Sequence, residues 1–341
     1  MPGSGRRPDP AATATSTAIS GRPAGAVHAH PLQGVLLICL AAVFFASLDS
    51  LSRGLGATAG RWAVPVLLLM TVRYAVQAIV MAFVLAPRGR AGFRSANPLY
   101  QWVRGGLLLA TSFCSFFGVQ FMPVPEFTAI NMLTPLLVTV LAAFVLHEHV
   151  SVPRWLLVAG GFAGALVVIR PGSGMFGAAV FLPLAGACTY ASFQVLTSRL
   201  AGTENPLTTH FYTGAVGTLG LLPALGAAAA MQGGEAVLAT LHRMPWEAWA
   251  LMLVVGLLGT VGHLLLILAL GKARTATLMP FLYTQIGFAA FIGFVAFDHV
   301  PDHWAWAGMG VIAACGASSA ALNMRRPGAQ SPAAAVDVAP E

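Results

Sequence analysis

The chain has 341 residues, of which 57% are hydrophobic and only 9% are charged. A soluble domain of this length needs far more charge to cover its surface, so the composition excludes a soluble globular protein. The net charge of +7 could suggest a nucleic-acid partner, but the basic residues are spread over loops and chain ends, which argues against one.

The two chain ends differ in composition from the rest. Residues 1–31 are rich in Pro, Ala, Ser, Thr and Arg and contain no apolar core of a signal peptide. Residues 325–341 are similar. Neither end can bury a hydrophobic core, so both are predicted to be disordered tails, and the topology below places them in the cytoplasm.

Between the tails, the apolar residues fall into segments of about 20, the length that crosses ~30 Å of hydrocarbon as a helix. The ten predicted segments are 32–52, 64–86, 99–121, 127–146, 153–170, 176–199, 207–230, 246–270, 275–297 and 302–322. The predicted fold class is therefore an all-α membrane protein with ten transmembrane helices.

The basic residues outside the segments predict the orientation. With the N-terminus inside, the inner loops and tails hold twelve Lys and Arg and the outer loops hold four. This asymmetry follows the positive-inside rule and predicts that both termini are cytoplasmic. All seven tryptophans fall near predicted helix ends, as an interfacial aromatic belt requires.

Two matches between the halves indicate an internal repeat. "FFASLDSLSR" (44–53) aligns with "TYASFQVLTSR" (189–199), which places Gln194 opposite Asp49. "FVLHEHV" (144–150) aligns with "FVAFDHV" (294–300) at a similar offset. Five helices per copy is an odd number, so the second copy enters the membrane inverted. In such transporters the substrate site lies near the midplane between the copies.

Two longer stretches resemble a known family. "FMPVPEFTAINMLTPLLVTVLAAFVLHEHVSVPRWLLVAGGFAGALVVIRPG" (121–172) resembles the end of an EamA-type repeat of the drug/metabolite transporter superfamily. "GHLLLILALGKARTATLMPFLYTQIGFAAFIGFVAFDHVPD" (262–302) resembles its second-repeat counterpart, although Gln285 occupies the slot opposite Pro135. The arginines of "VRY" and "VRGG" are similar to those of the S-adenosylmethionine-uptake-like branch.

The resemblance implies two inverted five-helix repeats, residues 32–172 and 173–324. It also implies a secondary transporter in a bacterial cytoplasmic membrane. The solute would be amino-acid-like, nucleoside-like or vitamin-like.

Arg73 and Asp49 are the strongest candidates for a solute site. Arg73 lies near mid-depth of the second segment, where an unpaired charge costs at least about 2.5 kcal/mol. It is expected to bind an anionic group of the solute or to pair with Asp49; a structural ion pair between helices is the alternative. Asp49 either lines the cavity, with a proton-coupling role open, or pairs with Arg53 one turn away at the interface.

Other polar residues inside segments have weaker claims. Each could contact a solute, or could instead anchor a helix at the interface or join helices through hydrogen bonds. The predicted substrate-binding set is completed by Arg104, Asn131, Gln194, Tyr212, His263, Tyr283 and Gln285. Glu126 stands in the first turn of the fourth segment, where an acid favours a capping role rather than a binding one.

The sequence therefore favours alternating-access transport of a small polar solute, coupled to protons or driven by exchange. The partners are the solute, the lipid bilayer and the candidate coupling proton, with no nucleic acid; a monomer and a homodimer are both open. No catalytic group, metal-binding cluster, cofactor motif or phosphate loop is visible, so no enzyme activity is expected. An intramembrane lipid-modifying enzyme and a non-transporting scaffold remain the alternatives.

Overall fold

A computed structural model describes residues 31–56, 62–145, 150–170, 176–200, 204–232, 241–272, 278 and 281–324. Within these ranges the regular structure is helical, apart from one isolated bridge between Gly56 and Val64. The predicted tails lie outside the described residues, except that Pro31 begins the first helix.

Within the described residues, each of the ten predicted segments contains helix, and the segment 275–297 is described as a helix from Thr284. The helix bounds are α1 Pro31–Leu55, α2 Val66–Leu85, α3 Pro98–Phe121, α4 in two parts Val124–Asn131 and Thr134–Val145, α5 Val152–Ile169, α6 Phe181–Leu200, α7 Pro206–Gln232, α8 Trp246–Lys272, α9 Thr284–Phe297 and α10 His303–Met324. By length and composition, α1 to α8 are each long and apolar enough to cross a membrane. The described part of α9 is a shorter apolar helix, and α10 has 22 residues.

The break in α4 has a local cause. Pro135 has no backbone N–H and its ring collides with the carbonyl four residues earlier, so one continuous helix cannot form. The Thr134 hydroxyl donates instead to the Asn131 carbonyl, at 2.7 Å. In the second half Thr284 makes the same bond to Phe281, at 2.6 Å, although Gln285 stands where the first half has proline.

The helices of the two halves pair in an exchanged pattern. Helix α1 of the first half packs against α8 of the second, and its equivalent α6 packs against α3 of the first. In the same way, α2 packs against α8, and its equivalent α7 packs against α3. The pairs α2–α7 and α5–α10 join equivalent helices of the two halves. This exchange of partners is the pattern expected if the two halves are related by a two-fold axis.

Glycines bring the self-paired helices close together. A Cβ atom added at Gly308 would lie 2.6 Å from the carbonyl oxygen of Gly164, so α5 and α10 meet backbone to backbone. A Cβ atom at Gly214 would lie 2.7 Å from the Ala78 backbone nitrogen across the α2–α7 contact. Small residues permit such approach inside a membrane bundle.

Two apolar clusters form the core. One joins α4, α5, α9 and α10 around residues such as Phe127, Leu133 and Ile312. The other joins the C-terminal half of α1 with α2 and the beginning of α8, around residues such as Leu69 and Met252. One group of buried polar side chains lies where α2 and α3 of the first half meet α6, α7 and α8 of the second. This group includes Arg73, Arg104 and His210.

Candidate functional site

Arg73 on α2 is a buried cation with few partners. Its side chain is 1% exposed, and Nη1 donates to the Ser112 hydroxyl of α3 at a long 3.4 Å. The guanidinium lies 4.5 Å from the ring centre of Tyr74 and 5.8 Å from that of Phe116. Its Nε has no hydrogen-bond acceptor among the residues that the structure describes. The Nε–H of Arg73 is therefore a buried donor without an acceptor in the described part of the chain, and it lies against Gly259 of α8.

Asp49 on α1 lies within electrostatic reach of Arg73 and is half-buried. In the described part of the chain the two side chains do not approach within 4 Å, so they form no direct ion pair. Arg53 is not the partner of Asp49 either. Its Nη1 donates to the carbonyl oxygens of Val119, at 2.8 Å, and of Met122, at the end of α3. The carboxylate of Asp49 and the guanidinium of Arg73 are thus neighbours without a direct ion pair.

Two histidines meet beside Arg73. His210 on α7 donates from Nε2 to the Thr260 carbonyl at 3.1 Å and accepts at Nδ1 from Gln77 at 3.3 Å. His263 on α8 donates from Nδ1 to the Gly259 carbonyl at 2.9 Å. The two rings are stacked with centroids 6.3 Å apart. This network fits two neutral imidazoles, which avoids adding positive charge next to the buried arginines.

Arg104 on α3 differs from Arg73 because the protein itself accepts its hydrogen bonds. Nε donates to the Thr197 hydroxyl of α6 at 2.8 Å. Nη1 donates to the Thr213 hydroxyl at 2.7 Å and to the Thr209 carbonyl at 3.2 Å, both on α7. The guanidinium also lies 4.5 Å from the Phe193 ring centre. Arg104 thus joins the first half to the second.

Helix α6 adds an aromatic surface to the cluster. Tyr190 and Phe193 are stacked with ring centres 5.6 Å apart, and Gln194 follows in the next position, half-buried. Tyr190 lies within electrostatic reach of both buried arginines. The repeat-related partner of Asp49 therefore lies on the helix that faces the site from the second half.

Four predicted ligands lie elsewhere in the bundle. The Tyr212 hydroxyl donates to the Phe93 carbonyl at the loop between α2 and α3, at 3.2 Å. Tyr283 packs its hydroxyl against Gly316 of α10. Asn131 faces Gly186 of α6. Gln285 is buried in α9, and in the described ranges no hydrogen bond or ring contact joins any of these four to Arg73 or Arg104. Their solute-binding role stays a prediction.

The cluster also contains Gln77 and Gln101, which are not among the ligands predicted from the sequence. Gln77 stands one helical turn after Arg73, and its amide also donates to the His210 carbonyl at 3.0 Å. Gln101 stands three residues before Arg104, and its amide donates to the Thr209 hydroxyl at 3.1 Å. Both side chains keep a buried carbonyl oxygen without a donor among the described residues. Polar residues on the helix face of an intramembrane arginine were the signal that could have identified them.

A second polar group lies at the predicted outer end. Glu126 opens α4, but it does not cap that helix with a side-chain hydrogen bond. Its two carboxylate oxygens instead lie 3.0 and 3.2 Å from Nε2 of His299, in the α9–α10 connection. This is a different role from the capping expected from its position in the first turn.

An ion pair between Arg170 and Asp302, with 2.6 Å between Nη1 and Oδ2, lies at the same end. The backbone N–H of Ala305 and the Arg170 guanidinium together lower the pKa of Asp302 below its usual value.

The EamA-like transporter family matches residues 32–170 of this chain. The chain is 25% identical to a riboflavin transporter of Vibrio cholerae, over 83% of this chain and 91% of the relative. It is 30% identical to a riboflavin transporter of Rhizobium johnstonii over 61% of this chain and 66% of that protein. It is 24% identical to an S-adenosylmethionine uptake transporter of Rickettsia prowazekii over 67% and 74%, respectively.

One crystal structure has the same fold. It superposes with a TM-score of 0.56 at 21% identity and covers 86% of this chain and 98% of its own. At this level of identity the similarity concerns the fold alone.

Proposed function

We propose that this chain, a multi-pass membrane protein with an EamA family domain of the drug/metabolite transporter superfamily, is a secondary transporter of a small polar metabolite. The observation that carries the proposal is Arg73, a buried cation with an available donor at the contact between the two halves. A charge inside a membrane protein costs at least about 2.5 kcal/mol and persists where it serves a site.

The side chains around Arg73 fit a solute with a flat ring and a polar substituent. Arg73 supplies a donor for an anionic or carbonyl group, and Asp49 supplies the opposite charge. Tyr190 and Phe193 provide a stacked aromatic surface on α6. Riboflavin and S-adenosylmethionine, named for the relatives, both combine a heteroaromatic ring with polar groups, so both are first candidates for the solute.

Purified protein in liposomes tests this function. Labelled riboflavin and S-adenosylmethionine are assayed for uptake first, followed by a panel of amino acids, nucleosides and vitamins. We expect at least one solute to accumulate with wild-type protein and with Arg90→Met, an exposed loop control, but not with Arg73→Met. Folded protein that moves no member of the panel would contradict the proposal and favour a scaffold.

Asp49 is the proposed coupling acid. It lies beside Arg73 on the helix face that the repeat places opposite Gln194. Flux driven by an imposed pH gradient should therefore weaken in Asp49→Asn, while exchange between labelled and unlabelled solute persists. Asp298→Asn, a change of an exposed acid in the α9–α10 connection, is the matched control. Equal pH responses of both variants would show that Asp49 carries no coupling proton.

The two halves are proposed to be inverted copies, residues 32–172 and 173–324, with both termini in the cytoplasm. The exchanged helix pairing and the odd number of helices per copy support this arrangement. This arrangement predicts that Glu148 and Asp298 lie on opposite sides of the membrane, but Glu148 lies outside the described ranges.

The exposed positions Arg90 and Val300 test the same point. Single cysteines there, in a background without the four native cysteines, should react with an impermeant maleimide from opposite faces. Reaction of both from one face would exclude the inverted arrangement.

A further inference from the structure

A hydrogen-bonded pair of side chains, Glu126 and His299, connects the two halves of the chain at the predicted outer end. Glu126, in the first turn of α4 in the first half, is 3% exposed, while the His299 side chain in the second half is 34% exposed. The closest distance between the two groups is 3.0 Å. Neither group belongs to the cluster around Arg73, and the proposed solute site does not use them.

Empty space adjoins this pair on both sides. A cavity of about 150 Å³ is lined by residues that include Arg53, Pro125 and Phe297. A second cavity of about 350 Å³ is lined by residues that include Phe176 and Glu126. His299 lines both cavities. His299 is therefore bordered by cavity volume, although Gly293 of α9 packs against the ring of Pro125 of α4 next to it.

An ion pair at the same end has a different setting. Arg170 at the end of α5 and Asp302 at the beginning of α10 also join the two halves. Behind them, however, α5 and α10 meet backbone to backbone at Gly164 and Gly308. Separating that contact would lose close packing along both helices. Arg170 and Asp302 also line the larger cavity, but the helices that carry them are joined by this backbone contact, whereas His299 borders both cavities.

The pair has no sequence equivalent at the opposite end. The offset of 150 residues that relates the halves here places His149 opposite His299, but it places Ala276 opposite Glu126. An acid is therefore present at only one of the two related positions. A contact made in one state of a two-state transporter, and not matched in the other, shifts the balance between the states toward the one that makes it.

We propose that Glu126 and His299 form a latch that holds the predicted outer end closed and that breaks each time this end opens. The latch rests on the proposed function in one respect, the alternation between two open ends. A charge-assisted hydrogen bond of this kind is expected to shift the opening equilibrium by about tenfold. Arg53 places a further positive charge near Glu126 and lies over the Phe297 ring, so it supports the closed arrangement from α1.

Accessibility of the cavity tests the latch without any transport assay, so the latch and the proposed function can fail separately. Val124 lines the smaller cavity and is 1% exposed, so Val124→Cys in a cysteine-free background reports opening. Reaction with an impermeant maleimide is followed in right-side-out vesicles. We expect labelling about tenfold faster in Glu126→Gln and in His299→Gln. The double variant should be no faster than either single one.

The matched control is Asp302→Asn, which removes the ion pair with Arg170 at the same end and should leave the rate unchanged. The exchanged variant Glu126→His with His299→Glu should restore slow labelling, which separates a latch from general loosening of the fold. Unchanged rates in the single variants would overturn the proposal, as would equal acceleration by Asp302→Asn. Acceleration seen only in inverted vesicles would overturn the assignment of the latch to the outer end.

Discussion

Replacing Arg73 by methionine should remove solute binding and leave the fold intact, while the same replacement of Arg104 should chiefly destabilise the protein. Methionine keeps much of the length of arginine and removes its charge and its donors. The two arginines are equally buried, at 1% exposure each, so burial does not distinguish them. Their hydrogen-bond partners do.

The structure gives the expected magnitude for each residue. Arg73 makes one hydrogen bond at 3.4 Å and two ring contacts. Their loss in Arg73→Met is offset because the variant no longer carries the free-energy cost of a buried charge. We expect its free energy of unfolding to change by at most about 1 kcal/mol. Arg104 makes three hydrogen bonds at 2.7, 2.8 and 3.2 Å, each of about 1.5–3 kcal/mol for a charged donor. After the same offset, about 3–5 kcal/mol of stability should be lost.

Solute binding, in contrast to stability, should be affected mainly by the replacement of Arg73. A charge-assisted bond from Arg73 to the solute is worth about 1.5–3 kcal/mol, so Arg73→Met should weaken affinity by about 10–150-fold. Affinity is measured by equilibrium binding of the labelled solute, and stability by thermal unfolding in the same detergent. Arg73→Lys should recover only part of the affinity, because lysine lacks the planar fork of donors.

Two results would refute this reasoning. Unchanged affinity in folded Arg73→Met would show that the available Nε donor does not reach the solute. An Arg73→Met variant as unstable as Arg104→Met would show that the cation near Asp49 has a structural role. A thermal shift measured without the binding assay cannot separate the two cases, so both are recorded for each variant.

Three further predictions concern positions where a small change has a defined neighbour. Gly259→Ala would place a Cβ atom 2.8 Å from Nε of Arg73, so affinity should fall several-fold with little loss of stability; solute binding and melting temperature report both. Gly308→Ala should lower the free energy of unfolding by about 1–3 kcal/mol, because its Cβ atom would meet a backbone carbonyl of α5. The control Gly310→Ala places its Cβ atom within 4 Å of no neighbouring atom in the described part of the chain, so thermal unfolding should show a neutral or slightly stabilising effect. The pKa of Asp302 is lower in the folded protein than its usual value of 3.8. The ionised carboxylate therefore stabilises the fold fully above pH 3.8, and this stabilisation is lost as the pH falls through the lowered pKa. Melting temperatures recorded from pH 6 to 3 should show a smaller acid-induced drop in Asp302→Asn than in wild type.

The positions of the helices follow from the sequence alone. Apolar runs of about 20 residues determine which segments enter the membrane, because the hydrocarbon thickness fixes the length that must be covered. Each of the ten predicted segments accordingly contains helix within the described residues. The fourth segment, 127–146, is predicted as continuous but forms two helices, because the N–H missing at Pro135 acts on its own helix. These properties are local, so no knowledge of neighbouring helices is needed.

The partners of the polar side chains were decided by tertiary structure. The sequence predicts both Arg73 and Arg104 as solute ligands, but Arg104 finds three acceptors on facing helices, whereas Arg73 finds one among the described residues. Glu126 looked like a helix cap, but its partner His299 lies 173 positions away. Which side chains meet depends on the depth at which each helix crosses the bundle and on its rotation about its own axis. Both are set by packing between helices, to which a single apolar segment contributes only one side.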